Sequence, residues 1–429
     1  MAVIRTTDSV GAGVRETVAA SDEFFLSEGA TVASTNDNAI EAGGIYASIF
    51  VAGEVFADQY AVNFGTWNTG SLAVMEGGRL SGGFGGVRSL GTYISVVNAG
   101  HIHGESTGLT HQTGQGFRLT NTGQITSNTN DGVAIDSANA RIDNYGTIAT
   151  SSVGNATGGV DLYDQSDSSS LLQLRNHGSI SAGSGFGVQM SGSAATLVMN
   201  TGLIVGLVRI YDSDDRLLNS GTIEGTIDLR DGFDLLRNNG GSIFGDVFTG
   251  ESADTVRNRG GAIWGDLDLG AGNDVYRGQA DGVVDGLVSG KEGNDTLVGG
   301  EGADDFVGGD GFDTLRGKGG DDILRGGAGK DTIVGGGGDD EMTGGSLSDL
   351  FVIGKKSGDD TVTDFENEID VVDLTRLSIT GAGKVAQVQA AAHDVAGGSI
   401  IDLDALGGSG SLELQGLFVA QYGGAEFIF

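Results

Sequence analysis

Residues 290–352 read GKEGNDTLV GGEGADDFV GGDGFDTLR GKGGDDILR GGAGKDTIV GGGGDDEMT GGSLSDLFV, seven nine-residue units in tandem. Aspartate holds the sixth position of every unit: Asp295, Asp304, Asp313, Asp322, Asp331, Asp340 and Asp349. An apolar residue holds the eighth: Leu297, Phe306, Leu315, Leu324, Ile333, Met342 and Phe351. A nine-residue period with glycine at each boundary suits neither a helix face nor a long strand, whose periods are 3.6 and 2.0. It suits a solenoid in which two units make one coil and turns fall on alternate edges.

The residue types set the chemistry of those turns. Glycine at the fourth position (Gly293, Gly302, Gly311, Gly320, Gly329, Gly338) permits a tight turn that leaves carbonyl oxygens exposed on its inner side. Carbonyls and an Asp carboxylate in the same turn are hard oxygen donors, the set that Ca2+ prefers. The residues after Asp make a short strand with one inward side chain, the apolar one.

The unit resembles GGxGxDxUx, the nonapeptide of the RTX (repeats-in-toxin) calcium-binding β-roll. The resemblance implies ions held between turns stacked on one edge, eighteen residues apart. That places Asp295, Asp313, Asp331 and Asp349 on one edge and Asp304, Asp322 and Asp340 on the other, for about five ions. The last unit carries Leu347 in place of the fourth-position glycine, which makes the Asp331/Asp349 site the weakest. Asp274, in GAGNDVYRG, fits the same motif, and Gly358-Asp359-Asp360-Thr361-Val362 is a degenerate copy that adds Asp360. Asp254 and Asp234 lack the fourth-position glycine and are poorer candidates.

Upstream runs a second repeat, Asn-x-Gly-x-(Ile/Leu), at Asn68, Asn98, Asn121, Asn144, Asn176, Asn200 and Asn219, with longer copies at Asn238 and Asn258. Its spacing is that of one parallel β-helix coil with variable loops. Asn tolerates a left-handed corner and bonds locally, so a stacked Asn at each coil is the physical reading. The pattern resembles autotransporter passengers and filamentous adhesins. The later coils align Asp215, Asp234, Asp254, Asp274 and Asp295 in one column, so the β-helix is expected to pass into the roll without a linker.

The expected fold is all-β: an N-terminal cap over 1–35, in which Phe24 and Phe25 plug the first coil, a parallel β-helix over 36–270, the calcium β-roll over 271–352, and a C-terminal cap over 353–429. The segment TDFENEIDVVDL resembles the stretch that closes RTX rolls, and the tail ending in Phe427-Ile428-Phe429 resembles a type I secretion signal.

The 429 residues hold 58 acidic against 23 basic side chains, a formal charge of −35. That balance favours cations as partners and opposes nucleic acid. There is no Cys and no Pro. Without Cys no disulfide framework forms, yet bound metal can staple a fold as well. No apolar run approaches a signal-peptide core or a membrane span.

The sequence thus implies a secreted, extracellular or cell-surface protein exported by the type I apparatus, with calcium as ligand and a surface polysaccharide or further copies of itself as partners. The competing reading is a polysaccharide lyase or epimerase carrying an RTX module. For it, His101, His103 and Glu105 are the acid/base candidates, with His111 close in sequence, against the plainer reading of solvent-facing side chains. Asp161, Tyr163, Asp164 and Asp167, placed beside Arg141 and Asp143 of the preceding coil, form a second cluster. A pore-forming toxin is disfavoured by the lack of an insertion region.

Overall fold

The computed structural model describes residues 3–11, 16–19, 21–43, 45–66, 69–152, 157–164, 170–211 and 213–429, so Asn68 and Asp167 lie outside the described residues. The chain divides into two compact units, Met1–Arg230 and Asp231–Phe429.

The first unit is a three-sided parallel β-helix. One side stacks Ala47–Val51, Gly70–Val74, Ile94–Asn98, Arg118–Asn121, Arg141–Asn144, Leu171–Asn176 and Ala195–Asn200. A second stacks Glu54–Ala57, Arg79–Gly82, His101–Gly104, Gln124–Ser127 and Thr147–Thr150, and a third Tyr60–Phe64, Gly85–Ser89, Thr107–Gln115, Val133–Ala138 and Gly158–Asp164. Alternate residues of each strand point inward, so Leu72, Val96, Leu119, Ile142, Leu174 and Val198 form one buried column.

The Asn repeat supplies the corners. Asn98 Nδ2 donates to Asn121 Oδ1 at 2.8 Å, Asn121 to Asn144 at 2.8 Å, Asn144 to Asn176 at 2.8 Å and Asn176 to Asn200 at 2.9 Å. Each side chain is buried and each amide spans to the next coil, so register is fixed where a slip would orphan a buried amide. Every following glycine packs on the one below: a side chain at Gly123 or Gly146 would run into the backbone of Gly100 or Gly123.

At the N-terminus, Val3–Gly11 already pairs in parallel with Glu23–Ser34. Of the expected plug, only Phe24 turns inward and is fully buried; Phe25 points outward and stacks on Phe50 with centroids 4.6 Å apart. Adjacent strand residues face opposite ways, so the pair cannot both plug a coil.

The second unit begins three-sided and becomes two-sided. Its coils at Asp234, Asp254 and Asp274 carry strands such as Thr255–Arg259, Ala262–Ile263 and Leu267–Asp268. The middle side ends at Val283–Val284. Beyond it two sheets continue: Thr296–Val298, Thr314–Gly319, Thr332–Gly337 and Leu350–Val352 in one, Asp305–Gly311, Ile323–Gly329, Glu341–Ser346 and Gly358–Val362 in the other. The coil drops to eighteen residues because one face is lost. All seven eighth-position residues, Leu297 to Phe351, are fully buried between the two sheets.

The far end is covered. Gly410–Gln415 pairs in parallel with Gly358–Val362 and antiparallel with Gly398–Asp402, which in turn pairs with Ala392–Val395. Leu412, Leu414 and Phe427 bury against the last coil, so the roll's open edge and apolar end meet no solvent there.

Candidate metal centre

The sixth-position aspartates form two ladders in the second unit. Along one edge the backbone N–H of each Asp donates to Oδ1 of the Asp one coil later: Asp254 to Asp274 at 2.7 Å, Asp274 to Asp295 at 2.8 Å, Asp295 to Asp313 at 2.7 Å, Asp313 to Asp331 at 2.8 Å and Asp331 to Asp349 at 2.8 Å. The other edge runs Asp304 to Asp322 at 2.8 Å, Asp322 to Asp340 at 3.0 Å and Asp340 to Asp360 at 3.2 Å. Oδ1 is therefore committed to holding the stack.

Oδ2 is not. In Asp295, Asp313, Asp322, Asp331, Asp340 and Asp349 it is buried without a hydrogen-bond partner, and these residues are at most 2% exposed. Each aims at the first-position glycine of its own unit, and for Asp295, Asp313, Asp322 and Asp331 the carbonyl of the next coil's glycine lies beside it. A methyl carbon on Gly308 would collide with Asp313 Oδ2 and lie 2.6 Å from the Gly326 carbonyl oxygen; Gly290 stands likewise against Asp295 Oδ2 and the Gly308 carbonyl, and Gly326 against Asp331 Oδ2 and the Gly344 carbonyl. An orphaned carboxylate oxygen and a carbonyl oxygen thus converge on a space kept open by glycine. Buried groups of this kind are costly unless something positive meets them.

Burial, opposed by the N–H bond to Oδ1, lifts these carboxyls: Asp295 and Asp340 to about 6, Asp313 and Asp349 to about 7, Asp322 to about 8, with neighbouring Asp residues of the ladder adding to the rise for Asp313, Asp322 and Asp349. No three His, Cys, Asp or Glu side chains converge as a metal-binding group among the described residues. The donors are single carboxylates with backbone carbonyls, a set that suits Ca2+ and not a thiolate or imidazole metal.

Three expected residues are placed differently. At Asp274 the first-position residue is Leu269, fully buried, where Gly290 stands one coil on, so no comparable space opens although Asp274 Oδ2 is also unpartnered. Asp304 Oδ2 accepts the Gly300 N–H at 2.8 Å. Asp360 Oδ2 accepts the Ser357 hydroxyl, and Lys355 replaces the glycine. By contrast Asp349 keeps its place despite Leu347, which takes a positive φ of 80° and stands 59% exposed.

Some contributors escaped the motif. Asp370 ends the first ladder, accepting the Asp349 N–H at 2.9 Å and the Glu366 N–H at 2.8 Å; Asp364 accepts both Gly344 and Gly345 N–H groups. Both lie in the closing segment, whose Asp spacing was the available signal. Lys318 Nζ donates to the carbonyls of Gly278 and Gly299, at 3.0 and 2.5 Å, one coil above Asp304 where the edge has no Asp. Its ammonium stands where the column runs out of carboxylates.

The candidate catalytic groups lie in the first unit. His101 and His103 both point outward and share one partner: His101 Nε2 lies 3.0 Å and His103 Nδ1 2.9 Å from Thr126 Oγ1. Glu105 is 3.9 Å from His103 and accepts from Asn128. Arg79, His101 and Gln124 line a shallow groove of about 450 Å3 over the stacked glycines. His111 is elsewhere: it faces the core, fully buried against Phe117, with Nδ1 3.1 Å from Ser89 Oγ and Nε2 unpartnered. Burial lowers its pKa to about 4.

Asp161 and Tyr163 pair in register with Ala134 and Asp136, not with Arg141 and Asp143, which bond each other on a different side of the coil. Asp164 turns inward. Asp161, raised to about 6 by burial and the Asp131 charge, shares a cavity of about 450 Å3 with Thr110, Asp136 and Tyr163.

Comparison with known families agrees with the geometry where the glycine-framed sites lie. The family model for the RTX calcium-binding nonapeptide repeat (4 copies) matches residues 285–315 and 316–351. No curated protein matches the chain. Residues 285–351 are RTX calcium-binding repeats within a β-solenoid.

Proposed function

We propose that this protein is a secreted calcium-binding surface or matrix protein whose roll becomes stable on meeting Ca2+ outside the cell. One observation carries the reading: the repeated convergence of an unpartnered, buried Asp Oδ2 on a glycine-framed carbonyl. Bound calcium would supply positive charge and accept several such oxygens at about 2.3–2.6 Å. Asp295, Asp313, Asp331 and Asp349 would hold it on one edge and Asp322 and Asp340 on the other, with Asp304 contributing through Oδ1 alone.

Without a cation the ladders oppose the fold. Each carboxylate that ionises is desolvated and stacked on its neighbour, and the chain as a whole carries −35. At the low free calcium of a cytoplasm the roll is only marginally stable and opens readily, which suits passage through a type I apparatus. At external calcium, near the ~10⁻⁴–10⁻³ M affinities usual for extracellular modules, the folded state alone is ligated and gains stability from each site. No helix among the described residues is long and apolar enough to cross a membrane.

A calcium titration of the full chain, followed by circular dichroism and by a binding isotherm, tests this. Cooperative gain of β-signal with several ions bound supports it; binding of none at millimolar calcium removes it.

A further inference from the structure

Arg237, Arg257 and Arg277 stand in register on three successive strands of the second unit, Leu235–Asn239, Thr255–Arg259 and Val275–Gln279. Leu236, Val256 and Tyr276 fill the core, so alternation sends the arginines outward. Neighbouring strands lie about 4.8 Å apart, and the guanidinium groups therefore climb the face at roughly that interval. The next outward column holds Asn239, Arg259 and Gln279.

Like charges directly opposite one another across strands are destabilising. Arg141, Arg209 and Arg325 elsewhere relieve their charge on Asp143, Asp228 and Asp305 at 2.7–2.8 Å. Among the described residues, none of the four arginines on this face has a carboxylate within ion-pair distance, in a chain with 58 acidic residues, and Arg237 Nε is buried without a hydrogen-bond partner. The stack costs stability and has no carboxylate to offset it.

We propose that this face binds a linear anionic glycan lying along the solenoid axis. Guanidinium forks suit carboxylate, sulfate or phosphate groups. Asn239, Gln279 and Thr255 offer amide and hydroxyl partners to sugar hydroxyls between the charges. The columns carry no outward aromatic on which bases would stack, which favours a glycan over single-stranded nucleic acid. The site does not use the Asp ladders, so it stands or falls separately from the calcium reading.

The test uses the full chain with calcium present, against oligogalacturonate, dextran sulfate, neutral dextran and a single-stranded oligonucleotide, with circular dichroism as the fold control. The expected result is salt-sensitive binding of at least one anionic glycan, none of neutral dextran, and a loss of at least about tenfold when Arg237, Arg257 and Arg277 are each replaced by Gln. Which glycan binds identifies the anion. Should the triple variant fold poorly, Arg257→Gln alone, at an exposed position, is expected to weaken binding severalfold. Equal affinity of folded variant and parent, no binding of either glycan, or preference for the oligonucleotide overturns the proposal.

Discussion

Replacing Asp313 by Asn should move stability in opposite directions with and without calcium. The amide keeps the acceptor for the Asp295 N–H, and its Nδ2 falls where the orphaned Oδ2 meets the Gly326 carbonyl, to which it can donate. Asp313 titrates near 7 in the fold against 3.8 outside it, about three units. At pH 8 the ionised group therefore opposes folding by up to about 4 kcal/mol, and its removal in chelator should stabilise the roll by about 2–4 kcal/mol once solvent screening is allowed for. With calcium at a hundred times Kd each site contributes about 2.7 kcal/mol. Loss of the two sites flanking Asp313 would then cost about 5 kcal/mol, more than the gain from removing the charge. Urea midpoints of the second unit's transition, at pH 8 in chelator and in saturating calcium, read both signs. Destabilisation in both conditions, or no change in either, would refute the argument.

The remaining predictions concern single side chains. Leu347→Gly relieves a left-handed backbone and should raise the midpoint by about 1 kcal/mol in calcium, read by urea unfolding. Lys318→Met leaves the Gly278 and Gly299 carbonyls without their ammonium; a loss of about 1–3 kcal/mol in chelator is expected, with unchanged calcium stoichiometry by calorimetry. His111 is held neutral, with a folded pKa near 4 against 6.5. Its contribution is complete above pH 6.5 and is lost as pH falls towards 4, about 3 kcal/mol in all. His111→Leu should accordingly flatten the acid limb of the first unit's thermal stability between those values.

Legibility in the sequence followed the strictness of each repeat. The Asp and apolar columns of 290–352 and the Asn corners could be read directly, because every copy must satisfy the same stacked neighbour. Orientation in looser coils could not. His101 and His111 are close in sequence yet lie on different sides, one outward and one in the core, because a corner separates their strands. The sequence sets Asp161 beside Arg141 and Asp143 where the fold pairs it with Ala134, for the same reason: loop length hides which of three sides a residue occupies. The fourth-position glycine is common to Asp274 and Asp295 and does not tell them apart; the first position does. That position separates Asp274, shut by Leu269, from Asp295, open at Gly290. Lys318 reaches its carbonyls across coils, a contact no linear spacing encodes.

Hydrogen exchange of the full chain in chelator and in calcium tests the central claim most directly. Protection of amides across 290–352 should be weak in chelator and rise steeply with calcium, while the Asn-cornered coils across 94–210 should be equally protected in both. Equal protection of 290–352 in the two conditions would contradict a roll set by its cation.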